Sequence, residues 1–258
     1  MNLTQKVLIG MAAGLVVGLS LNLANTHLTD GSLLAAGSFT EKYFVNGFFH
    51  VVGKMFVNAL KMLVVPLVLF SLICGVCGIG DVRLLGRIGS KAFALYMLTT
   101  AVAIATAIII AGGLGIGKGM NATTDASFTG KEAPPLSDVL INIVPTNPIA
   151  SMANGDMLSV IFFAILIGVS ILLLGRKAKS LVEGAELLNE VMMKMVGIVM
   201  SVAPYAVFCL LAKAMANLGL DLLWQLIGYV AVLVGVLLFH LFVTLQSAAS
   251  VPPAWFAM

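Results

Sequence analysis

The chain has 258 residues, of which 60% are hydrophobic and only 10% charged, with a net charge of +3. A soluble domain carries about 25% charged residues, so this composition excludes that class and makes an integral membrane protein the starting point. Three cysteines form no disulfide framework: Cys74 and Cys77 stand in an apolar run without a second Cys pair or a nearby histidine, and they read, like Cys209, as small packing residues.

The first span covers residues 7–24, and its 18 residues make about 27 Å of helix, just enough to cross a bilayer. It is longer than a signal-peptide core and lacks a convincing cleavage site, so it reads as retained. Gly10, Gly14 and Gly18 recur every four residues, a spacing that lets another helix approach closely without saying which. The second span, residues 44–80, exceeds a bilayer thickness and must tilt, reach into the interface or bend at Pro66. His50, Lys54, Asn58 and Lys61 share one helical stripe there, reading either as lysines snorkelling to the interface or as a face turned to protein or water.

The third span, residues 92–117, places Tyr96, Thr99 and Thr100 on one face. Their oxygens are what a hard cation accepts, although a membrane threonine more often bonds its own backbone or a neighbouring helix. Gly112-x4-Gly117-Lys118 imitates a phosphate loop, but Gly119 occupies the position that needs Ser or Thr, and no soluble strand precedes it. We read it as a helix end, followed by a polar stretch from Gly119 to Asp138.

The fourth span, residues 143–174, is interrupted. Pro145, Asn147, Pro148, Asn154, Gly155 and Asp156 precede the apolar run from Met157 to Leu174, so no single straight helix fits. Inside a bilayer such a break survives only where protein or a water-filled cavity satisfies the freed backbone groups. The fifth span, residues 188–216, extends a helix whose Glu183, Glu186 and Glu190 form a solvated face, with Glu190 and Lys194 as an i,i+4 pair. Pro204 should bend it. A turn at Asn217–Asp221 leads to the sixth span, residues 222–244, in which His240 is an intramembrane titratable group without an acidic partner in the same segment.

Six spans place Lys6, Arg83, Arg87, Lys91, Arg176, Lys177 and Lys179 on one side and only Lys42, Lys118, Lys131 and Lys213 on the other. That bias puts the N-terminus in the cytoplasm of a multi-pass cell (inner) membrane protein.

Three stretches then resemble the dicarboxylate/amino-acid:cation symporter family, which includes glutamate and C4-dicarboxylate carriers. They are Lys61-Met62-Leu63-Val64-Val65-Pro66-Leu67-Val68 with Gly80-Asp81 and Leu85-Gly86-Arg87-Ile88-Gly89; Val144-Pro145-Thr146-Asn147-Pro148 with Ala153-Asn154-Gly155 and Ile161-Phe162-Phe163-Ala164; and Ala203-Pro204-Tyr205-Ala206-Val207-Phe208. The match runs from Lys6 to about Gln246. The resemblance implies an all-α membrane fold and a homotrimer whose protomers hold a scaffold (first, second, fourth and fifth spans) and a mobile transport domain (third and sixth). It also implies a coupling cation, sodium or a proton, held partly by Tyr96, Thr99 and Thr100, with no organic cofactor, no nucleic acid and no enzymatic activity.

Broken helices often form the binding sites of transporters, which makes the fourth span a candidate substrate site, but the resemblance assigns it to the scaffold. The family's serine-rich hairpin and Asn-Met-Asp-Gly-Thr signature, which hold the acidic amino acid or dicarboxylate, are not found. Residues 247–258 continue no recognisable family pattern and read as a truncation, a frameshifted end or an unrelated extension. The expectation is therefore the N-terminal part (1–246) of a symporter, transport-incompetent alone. The alternatives are a scaffold-like assembly fragment that carries nothing and, more weakly, a channel or pump permease subunit.

Overall fold

The computed structural model describes residues 1–28, 31–35, 37–115 and 135–246, with backbone alone at 136, 218–226 and 244–245. The end of the glycine run at Gly117-Lys118, most of the polar stretch after it and the tail 247–258 lie outside the described residues. All regular structure among the described residues is helical: α1 (Leu3–His27), a π-wound turn (Thr40–Phe49), α2 (His50–Ile79), α3 (Val82–Gly113), α4 (Leu136–Ile141), α5 (Pro148–Asn154), α6 (Met157–Leu174), a 3-10 turn (Gly175–Ala178), α7 (Lys179–Ser201), α8 (Ala203–Phe239) and a π-wound end (His240–Leu245). The protein is an all-α membrane protein.

By length and composition, four stretches among the described residues can cross a membrane: Leu3–His27, Thr40–Ile79, Val82–Gly113 and Met157–Ser201, with a shorter apolar helix at Ile227–Val243. Pro66 lies inside α2, which stays helical through it. One expectation meets a different backbone. The expected turn at Asn217–Asp221 is absent, because α8 runs unbroken from Ala203 to Phe239. One glycine costs a helix about 1 kcal/mol, and without a proline the apolar flanks carry the helix across Asn-Leu-Gly-Leu-Asp. The chain does break between α7 and α8. Val202 closes α7 through its N–H to the Val199 carbonyl, and Pro204 enters the first turn of α8, where its missing donor is harmless.

The chain divides into two compact units, Met1–Gly78 with Asn142–Leu223, and Ile79–Ile141 with Trp224–Met258. In the first, α1 and the start of α8 lie in contact and run in the same direction. A Cβ on Gly14 would come within 2.6 Å of the Phe208 carbonyl oxygen, and one on Gly18 within 2.5 Å of that of Ala212. Gly10 meets Pro204 in the same way. One turn further on, Asn22 Nδ2 donates to the Ala216 carbonyl at 2.9 Å, keeping the same separation of 194 residues. The glycine stripe thus has its partner.

Beside this seam, Phe49 packs edge-on against Phe208 (5.8 Å, 87°) within a core of Phe49, Cys209 and Ala212, against which Val17 and Leu21 of α1 also pack. A second core joins Ile73 of α2, Ala164 and Ile171 of α6, Ala178, and Ala185 of α7. Cys74 and Cys77 pack against it as free thiols, in keeping with their reading as packing residues. Val76 sits over Gly168, where an added Cβ would meet the valine's own at 2.7 Å.

In the second unit, Asp81 caps α3 by accepting from the Arg83 N–H at 2.8 Å. Its neighbour in that unit is the π-wound end His240–Leu245. No described residue of α3 is buried.

Candidate functional site

The break before α6 is built by local hydrogen bonding. Asn147 Oδ1 accepts from the N–H groups of Ile149 (3.0 Å) and Ala150 (3.2 Å), and Pro148 takes the first helical position. After two turns Gly155 adopts the left-handed region (φ 75°), where a side chain would be strained. Asp156 then donates its N–H to the Ser151 carbonyl at 2.9 Å, and α6 begins. Ser159, 6% exposed, closes the unit by donating Oγ–H to the Asn142 carbonyl at 2.7 Å. Protein groups thus meet several of the backbone groups freed by this break.

Between α2 and this break lies a groove of about 830 Å³, lined by Lys61, Val65 and Leu69 on one side and Met152, Asn154 and Gly155 on the other. The walls are mainly apolar, and Lys61 supplies their one charge. Of the helical stripe that includes Lys61, His50 has found a partner: Lys213 Nζ lies 2.9 Å from its Nδ1. Because an ammonium can only donate, the imidazole accepts at Nδ1. Sequence spacing did not point to that pairing, since 163 residues separate the two.

In the second unit, α3 carries Tyr96, Thr99 and Thr100. Thr99 donates Oγ1–H to the Tyr96 carbonyl at 3.1 Å. This is the backbone bond expected of a membrane threonine, and it has a chemical consequence: the hydroxyl proton is occupied, so the lone pairs of Oγ1 remain available to a cation. Thr99 and Thr100 are half-buried, whereas Tyr96 is 66% exposed. Three neighbouring residues on one helix do not enclose an ion by themselves; further oxygens must come from elsewhere. Among the described residues, no group of three or more His, Cys, Asp or Glu side chains could hold a metal. On α7 the ion pair is Lys179–Glu183 at 3.7 Å, with both side chains largely exposed, rather than the expected Glu190–Lys194. Such pairs hold their geometry weakly in water.

The sequence model of the sodium:dicarboxylate symporter family matches residues 3–253, seven residues beyond Gln246. The proton/glutamate-aspartate symporter of Escherichia coli (strain K12) is 34% identical over 85% of this chain and 53% of its own length. The proton/sodium-glutamate symport protein of Bacillus caldotenax is 30% identical over 80% of this chain and 51% of its own. The C4-dicarboxylate transport protein of Bacillus subtilis (strain 168) is 30% identical over 66% of this chain and 42% of its own. The chain thus spans about half the length of the curated relatives it matches. Those relatives are transporters rather than enzymes. Over nearly its whole length, this chain belongs to the sodium:dicarboxylate symporter family.

Proposed function

We propose that these 258 residues supply the N-terminal six-helix part of a secondary active symporter, which couples entry of a cation to uptake of dicarboxylates or acidic amino acids. The observation that carries the reading is the family match over residues 3–253, together with relatives named for glutamate, aspartate and C4-dicarboxylates and for protons or sodium. In this reading the chain is a multi-pass protein of the inner membrane with a cytoplasmic N-terminus, and it assembles as a homotrimer. Helix direction agrees with part of that topology: α1 runs parallel to the start of α8, as first and fifth spans would, and α2 runs parallel to α6, as second and fourth would. The unbroken α8 provides no reversal between a fifth and a sixth span.

Tyr96, Thr99 and Thr100 contribute oxygens to the coupling cation, sodium or a proton, and the remaining ligands and the substrate site come from residues beyond this half. By itself the polypeptide does not transport. Proteoliposomes loaded with the chain are expected to show no sodium- or proton-driven uptake of labelled aspartate, glutamate or succinate. Robust uptake would overturn that reading. For the cation site, sodium should raise the thermal midpoint, relative to choline, of a longer protein in which this half is joined to the remaining ligands, and the double variant Thr99→Val, Thr100→Val should lose that rise. An equal rise in the variant would remove these residues from the site.

The second reading is an assembly fragment that binds itself or longer subunits and carries nothing. Cross-linking in membranes separates the cases, because a strict monomer contradicts assembly.

A further inference from the structure

We propose that the groove between α2 and the α5–α6 break holds one anionic phospholipid, its headgroup at Lys61 and an acyl chain against Val65 and Leu69. Depth carries the first part of the argument. Lys61 stands 18 residues before the end of α2 at Ile79, and α6 is itself 18 residues long, so each measures about 27 Å, close to the hydrocarbon thickness. The two helices run side by side in one direction, since Lys61 shares the groove with Gly155 and Val76 meets Gly168 further along, and basic Arg176 and Lys177 follow the end of α6. Lys61 and Gly155 therefore fall together at the opposite membrane boundary, where headgroups lie.

Chemistry carries the second part. Among the described residues no carboxylate pairs with Lys61, which is exposed at the groove, while the walls below it are apolar. A small dianion would meet one cation and an oily wall, whereas a phospholipid satisfies both. Asn154 and the backbone around Gly155 add polar atoms at the headgroup level. The inference needs only that the chain sits in a membrane, so its failure leaves the transport reading untouched.

The test uses the whole 258-residue chain in phosphatidylcholine vesicles containing a minority of phosphatidylglycerol with matched acyl chains. Lipid retained after mild extraction is counted by native mass spectrometry. A lysine at the interface contributes roughly a fivefold preference for an anionic headgroup, so wild type should enrich phosphatidylglycerol by about that factor. Lys61→Gln should abolish the enrichment, Lys61→Arg should keep it, and Lys54→Gln, on the same helix outside the groove, should leave it unchanged. Ala153→Trp, which fills the groove, should lower retention of both lipids. The proposal is overturned if Lys61→Gln enriches as well as wild type or if Lys54→Gln loses as much. It is equally overturned if copies of the chain cross-link through the groove with no lipid retained.

Discussion

α1 and α3 look alike in the sequence: each is long, apolar and able to cross a bilayer. In the structure they share little. α1 is locked through Gly10, Gly14, Gly18 and Asn22 to four successive turns of α8, so closely that its backbone touches its partner's. α3 buries none of its described residues, and among the described residues no neighbouring atom lies within 4 Å of the Cβ position of its Gly86, Gly89, Gly112 or Gly113. Hydropathy therefore identifies what each helix dissolves in, while the neighbours of its small residues identify what it packs against. An apolar helix with glycines and no seam is one whose partners lie outside the contacts seen so far.

The sharpest way to break this contrast is a bulky residue in the seam. Gly18→Leu would drive a side chain into the Ala212 carbonyl and Met215, and overpacking of this kind costs about 1–3 kcal/mol or more. Its unfolding midpoint in a denaturing-detergent titration should fall clearly, whereas Gly86→Ala on α3, with nothing within 4 Å, should not lower it. Equal sensitivity at both positions would erase the distinction between the two helices.

The break before α6 comes next in size. Asn147→Ala removes a cap that accepts two N–H groups, an effect of about 1 kcal/mol, and should speed hydrogen exchange at Ile149 and Ala150 while leaving α1 protected. Asn22→Ala, which deletes the polar end of the seam, should destabilise by about 0.6 kcal/mol, near the average for hydrogen bonds between membrane helices. The smallest effect belongs to Glu183→Ala: its pair with Lys179 is exposed, so the same titration should move by less than about 0.5 kcal/mol.

Much of the architecture was legible because bilayers and prolines impose strong rules. The break at Asn147–Asp156 could be read directly from its residues, and the structure adds only how its backbone is satisfied. The threonine stripe was legible as a face, and the local bond from Thr99 to Tyr96 is one that a helix makes available to any threonine. Residues Asn217–Asp221 read as a turn from their polar side chains and glycine, whereas the helix propensity of the apolar flanks keeps α8 continuous through them. The seam and the contact between Lys213 and His50 were invisible for another reason. Each joins positions more than 160 residues apart, and spacing within one helix carries no information about the identity of a distant partner. A hint did exist: Pro204, Phe208, Ala212 and Ala216 repeat the four-residue interval of the glycines.

The fixed separation of 194 residues along that seam also sets an order of events during synthesis. A ribosome adding about 5–20 residues per second needs roughly 10–40 s to move from one side of the seam to the other. Throughout that interval α1 resides in the bilayer with its glycine groove against lipid and the amide of Asn22 without its eventual acceptor. The helix must therefore be stable as an inserted span before it is stable as a packed one. Insertion and association are separate steps for this protein, and the seam closes only when the start of α8 arrives.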